Sequence, residues 1–277
     1  VLTTVLHTAR LEPRQIAAIS AVLPGELQAC RGHYRLYHHH PVLHELLPAL
    51  RGQLPFDINP LPASFDSSAV RLVVSDMDST FITIECLDEI ADLAGLRAQV
   101  APVTAAAMRG EIDFAGAMRE RLALLKGLDL AVLDTVYRER LTLMPGAREL
   151  LQGLKQQAIP FALVSGGFSQ FTGRLQQELG FEFSHGISPE IEGGVLTGRI
   201  YGELIDAAGK TEFVRRLCRE LEIETGQVIA LGDGANDLPM LQGAGLGIAY
   251  RARPVVQAAA DAVLNCSGLE AVLDFID

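Results

Sequence analysis

The sequence predicts a doubly wound parallel α/β sheet domain that carries an inserted helical cap and follows a small N-terminal α+β domain. Three observations predict it. From Arg71 onward, short apolar, often β-branched runs alternate with helical stripes. Three of those runs stop in polar or glycine-rich turns, at Asp76-Met77-Asp78, Ser165-Gly166-Gly167 and Gly232-Asp233-Gly234. The crossover after the first run spends about 65 residues, where a dozen or so and a helix would suffice.

Taken in order, residues 1–59 read as the small domain. Val1 to Leu6 reads as a strand, and Pro13 to Leu23 places Ile16, Ile19, Val22 and Leu23 at helical spacing before Pro24-Gly25 stops it. Tyr34, Leu36 and Tyr37 suggest another strand, Val42 to Leu50 a helix, and Leu54 to Ile58 a last strand. Strand-helix-strand-strand-helix-strand would be a ferredoxin-like order. His38-His39-His40 reads as an exposed polar stretch, because adjacent residues on a strand face opposite sides. Residues 60–69, with two prolines and three serines, read as a linker, stiff at first and looser after.

The core domain is assigned to 70–84 and 142–277. Its first strand, Leu72-Val73-Val74-Ser75, runs into two aspartates separated by one residue. Ligands of open α/β sheets sit beyond the carboxyl ends of the strands. Side chains two apart share a face, so Asp76 and Asp78 are expected to enter a site while Met77 turns back into the core. Two carboxylates this close repel unless a cation sits between them or one is protonated. Taken alone, the pair also fits a strand that merely ends in a polar turn.

Residues 85–141 are assigned to the cap. Ile84, Leu87, Ile90, Ala91 and Ala94 form a helical stripe that ends at Gly95, and Leu96–Gly110, Phe114–Leu125 and Asp129–Leu141 continue it. Then the α/β rhythm resumes: a helix over Pro145–Gln157, a strand over Phe161–Val164, a helix over Phe168–Leu179 and a hairpin around Glu192-Gly193-Gly194. Lys210 opens a further helix, Val228–Leu231 forms a strand, and Leu246–Ala249 and Ala262–Leu264 finish the sheet.

Composition excludes some functions. A net charge of −11 argues against a nucleic-acid or anionic-membrane partner, so an anionic ligand must meet a local positive site. Cys30, Cys86, Cys218 and Cys266 show no C-x-x-C spacing and suit buried thiols in a reducing compartment, which makes the cytoplasm the expected location. No charged-then-apolar leader opens the chain and no apolar run reaches the ~18 residues of a membrane span. Val1 in place of Met suggests trimming or truncation.

In a parallel sheet the three polar strand ends lie on one edge and converge. Ser165-Gly166-Gly167 offers a hydroxyl and backbone N–H groups to a phosphate oxygen, or is simply a tight turn. Lys210 is a solvated lysine, or a phosphate counter-charge beside the acids.

Together these residues resemble the haloacid dehalogenase-like phosphatases, and within them the phosphoserine phosphatases. The resemblance spans Arg71 to about Asp277 and rests on Asp76-Met77-Asp78-Ser79-Thr80, Ser165-Gly166-Gly167, Lys210 and Gly232-Asp233-Gly234-Ala235-Asn236-Asp237, in that order. Glu85-Cys86-Leu87-Asp88-Glu89 and Ala107-Met108-Arg109-Gly110 point to the phosphoserine branch. The resemblance implies a Rossmann-like core and Mg²⁺-dependent hydrolysis of O-phospho-L-serine, the last step of serine biosynthesis, through an aspartyl-phosphate. It implies Asp76 as nucleophile, Asp78 as acid and base, and Mg²⁺ held by Asp76, the Asp78 carbonyl and Asp233. Asp237 would orient the metal site, and Ser165, Gly166 and Lys210 would hold the phosphoryl group. Glu85 and Arg121 would read the ammonium and carboxylate, with Met108, Phe114 and Asn236 lining the pocket. Gly110 or Gly127 is expected near a flexible joint of the cap. The segment Phe183–Ser188 lacks the Ala-Asn pair of many relatives. Residues 1–59 resemble amino-acid-binding regulatory modules in element order only, which suggests an effector there; a homodimer is a further expectation.

Overall fold

The computed structural model describes residues 1–40, 45–108 and 111–276, with only the backbone of Met108. The N-terminal unit comprises β1 (Leu2–Leu6), α1 (Pro13–Val22), β2 (Glu26–Ala29), β3 (Tyr34–His38), α2 (Leu47–Arg51) and β4 (Ile58–Pro60). Its antiparallel sheet has the order β2-β3-β1-β4, the arrangement that the element order predicts. Helix α1 begins where Glu12 and Gln15 form a reciprocal capping box around Pro13. Leu6, Leu36 and Ile58 pack with Ile19 and Leu50 from the helices and with Leu23 at the end of α1. Strand β2 carries no sequence signal because three of its four residues are exposed. The last strand begins at Ile58 rather than Leu54; Leu54 and Phe56 are buried in the preceding turn. Part of the helix expected over Val42–Leu50 lies outside the described residues.

One expectation here is corrected. His38 is buried, not exposed: its Nε2 pairs with Thr4 Oγ1 at 3.0 Å and its Nδ1 with the His40 carbonyl at 2.8 Å. Just before the expected linker, the chain at Asn59 is pinned to the core sheet. The Asn59 carboxamide donates to the Val263 carbonyl at 2.9 Å and accepts from the Val263 N–H at 2.8 Å, as a neighbouring strand would. Beside it, the Asp57 carboxylate accepts from the backbone N–H groups of Asn265, Cys266 and Ser267.

The core sheet begins with β5 (Leu72–Asp76), after which the chain enters the helices α3 (Cys86–Leu93), α4 (Arg97–Met108), α5 (Phe114–Leu124) and α6 (Ala131–Glu139). It continues through α7 (Ala147–Gln156), β6 (Phe161–Phe168), α8 (Ser169–Leu179), β7 (Phe183–Glu192), β8 (Val195–Tyr201), α9 (Ala207–Glu220) and β9 (Val228–Gly232). It ends with α10 (Leu238–Gly243), β10 (Leu246–Tyr250), α11 (Pro254–Ala259) and β11 (Ala262–Leu264). The sheet order is β11-β10-β9-β5-β6-β7-β8, parallel except for the β7–β8 hairpin. Gly193 and Gly194 turn that hairpin with φ of +58° and +85°, conformations that disfavour a Cβ.

Each central strand is apolar throughout because both faces are covered. Val73, Phe161, Leu163, Ile229 and Leu231 enter one hydrophobic cluster, while Leu72, Val74, Ala162, Val164, Val228 and Ala230 enter the other. Burying a large aliphatic side chain of this kind contributes about 1.5–3 kcal/mol. The strand order reverses at β5, which therefore lies at the switch point where ligands bind. All four cysteines are free; Cys86 and Cys218 are buried, but Cys266 is exposed, against expectation. No described helix is long and apolar enough to cross a membrane.

Candidate active site

Asp76 is the last residue of β5, 5% exposed, and Met77 behind it is fully buried in the core. The Met77 carbonyl accepts the N–H groups of Thr80, Phe81 and Ile82, which folds the chain sharply after the strand. Ser79 takes a left-handed φ of +58°, uncommon for a residue with a Cβ, and its hydroxyl donates to Glu85 Oε1 at 2.8 Å. Asp78 Oδ1 accepts from the N–H of Cys86, the first residue of α3, at 2.8 Å, and its Oδ2 accepts from Ser165 Oγ at 2.8 Å. The two aspartates of one strand end thus have separate surroundings.

Ser165-Gly166-Gly167 lies within β6 rather than after it. Pairing with β7 jumps from Val164–His185 to Phe168–Ile187, so the intervening residues bulge out of register. The Gly167 N–H is taken by Ser165 Oγ at 2.8 Å. A Cβ on Gly166 would sit 3.1 Å from the Ile205 carbonyl oxygen and 3.5 Å from the Phe114 ring, so the cap helix α5 reaches this loop.

Lys210 lies in the first turn of α9, whose N-cap Asp206 accepts the Gly209 N–H at 2.9 Å. It is 1% exposed, and its ammonium donates to Asp76 Oδ1 at 2.5 Å and Asp237 Oδ1 at 2.6 Å. Burial alone would lower its pKa, but the charges of Asp76 and Asp237 outweigh that and keep the lysine protonated. Asp237 Oδ2 accepts the N–H groups of Asp233 and Gly234 at 3.2 and 3.0 Å. Both Asp237 oxygens are therefore engaged. Thr80 Oγ1 donates to Asp233 Oδ1 at 3.1 Å.

Asp76, Asp233 and Asp237 offer carboxylate oxygens that all lie within 4.8 Å of one another. Burial, then the Asp237 charge, pushes the Asp76 carboxyl well above the usual range, and the same two causes lift Asp233 to about 6. One ammonium among these acids leaves excess negative charge in a buried place, which a hard divalent cation with oxygen ligands would neutralise.

On the cap, Glu85 is the N-cap of α3 and Arg121 lies in the last turn of α5. Burial, followed by the Asp78 charge, lifts Glu85 to about 7. Arg121 Nη2 donates to Asp88 Oδ1 at 2.5 Å. Asn236 folds over the loop, where a Cβ on Gly234 would meet its Oδ1. The Met108 side chain and Gly110 lie outside the described residues. The Gly127 N–H donates to the Leu196 carbonyl at 2.7 Å, and the Leu196 N–H donates to the Leu128 carbonyl at 2.9 Å. Sequence reading quoted Ser79, Thr80, Cys86 and Asp88 within motifs but gave them no part in the site, because their partners Glu85, Asp233, Asp78 and Arg121 are set by the fold.

Residues 70–245 match the family model described as haloacid dehalogenase-like hydrolase. A phosphoserine phosphatase from Polaromonas sp. (strain JS666) is 47% identical over 214 residues, 76% of this chain and 91% of that one. An HAD family hydrolase from Salmonella enterica serovar Typhi has a TM-score of 0.89 at 32% identity, over 100% of this chain and 99% of its own. A structure described as a phospho-aspartyl intermediate analogue of phosphoserine phosphatase aligns with a TM-score of 0.69 at 33% identity, over 75% of this chain and 99% of its own.

Proposed function

The chain belongs to the haloacid dehalogenase-like hydrolases and, within them, to the phosphoserine phosphatases, and from that premise we propose that it converts O-phospho-L-serine to L-serine and phosphate with Mg²⁺ through an aspartyl-phosphate. The observation that carries the reading is the separate surroundings of the two carboxylates at the end of β5: Asp76 faces Lys210, and Asp78 faces Ser165 and the start of α3.

In this reading an Asp76 oxygen attacks phosphorus while Asp78 gives a proton to the departing serine oxygen. Water then attacks the aspartyl-phosphate, and Asp78 takes the proton back. Asp76, Asp233 and the Asp78 carbonyl would hold Mg²⁺, which supplies charge neutralisation for the phosphoryl oxygens. Asp237 fixes Lys210 and the Asp233 backbone. Ser165, the Gly166 N–H and Lys210 stabilise charge developing on the phosphoryl group. Glu85 receives the substrate ammonium and Arg121 its carboxylate, while Phe114 and Met108 on the cap exclude water. Releasing serine, the enzyme would complete serine biosynthesis; four free cysteines support a reducing cytoplasm. An amino-acid effector would have room in the open cleft between the N-terminal unit and the core, where Arg10, Arg31, Glu149 and Glu270 offer both signs of charge.

The test is phosphate release from O-phospho-L-serine, O-phosphoethanolamine and a sugar phosphate, with Mg²⁺ or a chelator. Preference for phosphoserine with Mg²⁺ is the expected result. Equal turnover of the sugar phosphate would overturn the substrate, and full activity in chelator would overturn the metal.

A further inference from the structure

We infer that Asp88 is a positioning residue that aims the Arg121 guanidinium at the substrate carboxylate, and so sets the preference for phosphorylated amino acids over phosphorylated amines. This rests on the proposed role of Arg121. Asp88 follows Glu85 by three residues on the first turn of α3, so the two carboxylates lie on neighbouring positions of one helix face. Arg121 reaches that turn from α5, and its Nη2 donates to Asp88 Oδ1 at 2.5 Å. The pairing brings the group that would read a carboxylate beside the group that would read an ammonium.

The donor count shows why Asp88 aids binding rather than competing for the arginine. A guanidinium has five N–H donors, a bidentate carboxylate uses two, and Asp88 uses one. The Arg121 Nε is buried and has no acceptor among the described residues, which leaves donor capacity for an incoming anion. The Arg121 side chain is 17% exposed and Asp88 49%, so the anchor is solvated on its outer side, which screens its repulsion of a second carboxylate. An arginine without this anchor must lose many rotamers when substrate binds.

The experiment compares steady-state kinetics on O-phospho-L-serine and on O-phosphoethanolamine, which lacks the carboxylate, for wild type, Asp88→Ala, Asp88→Asn and Arg121→Ala. Asp88→Ala should raise KM for phosphoserine about tenfold, leave kcat within about twofold and leave phosphoethanolamine turnover unchanged. Asp88→Asn keeps an acceptor oxygen and should recover most of the loss. An unchanged or lowered KM in Asp88→Ala, or equal losses on both substrates, overturns the inference even when Arg121→Ala abolishes discrimination. If Arg121→Ala itself keeps the wild-type discrimination, the role of Arg121 is wrong and the inference falls with it.

Discussion

The Lys210 ammonium donates to Asp76 Oδ1 at 2.5 Å, and Asp237 holds the same nitrogen from its other side at 2.6 Å. The lysine therefore sets the position and charge of the proposed nucleophile as well as facing the proposed phosphoryl group. Lys210→Met should lower kcat by about 10²–10³, as removal of a preorganised charge partner does. It should also reduce unfolding stability by about 3–5 kcal/mol, because two buried carboxylates lose their counter-charge. Denaturant titration and phosphate release check the two effects; wild-type kcat would remove Lys210 from the chemistry.

Asp76→Asn should give no covalent phosphoenzyme and no turnover. Asp78→Asn should still bind phosphate and metal but slow both formation and hydrolysis of the intermediate, by about 10²–10⁴. Acid-quenched single turnovers with labelled substrate distinguish them. A phosphoenzyme trapped in the Asp76 variant would exclude that residue as nucleophile.

Mg²⁺ should raise the melting temperature, since Asp76, Asp233 and Asp237 crowd within 4.8 Å. At a hundredfold excess over Kd the gain is about 2.7 kcal/mol. Asp233→Asn should lose most of this shift. Equal shifts in both proteins would place the ion elsewhere.

Glu85 has its carboxyl lifted to about 7 by burial and then by Asp78. Only its ionised form accepts an ammonium in an ion pair. With the pKa raised in free enzyme, kcat/KM for phosphoserine should fall as pH drops through about 7, approaching tenfold per unit below it. The phosphate of the substrate titrates near ~6 and adds its own limb in every variant. Glu85→Gln, measured at saturating Mg²⁺, should keep the phosphate limb and lose the one near 7; retention of both would separate Glu85 from binding.

Asp57→Ala should lower stability by about 1–3 kcal/mol or more, since it strips acceptors from three successive backbone N–H groups. Kinetics at 25 °C should change little, because the seam lies away from Asp76. An unaltered urea midpoint would show that the N-terminal unit gains nothing from this contact.

Much of the fold was legible because its signals are local. Buried strands on both faces read as apolar runs, and helices read by their stripes, so the alternation that yields β5 to β11 stands in the sequence. The site was legible as far as chemistry must sit at strand ends: Asp76, Asp78 and Asp233 come from two such ends, whereas Ser165 stands at a bulge within β6, not at its end. Strand β2 was not located, since three of its four residues are exposed, and His38 was misjudged because a polar residue looks solvent-facing until its partners are known.

The sequence by itself determined which residue types the chain brings to one sheet edge, since strand period and turn chemistry act over a few residues. Only the tertiary structure decided how those residues pair. Lys210 meets Asp76 across 134 positions, Asp78 meets Ser165 across 87, and Arg121 meets Asp88 across 33. Such contacts arise from packing of whole elements around two cores, and no local pattern encodes which buried charge will neutralise which.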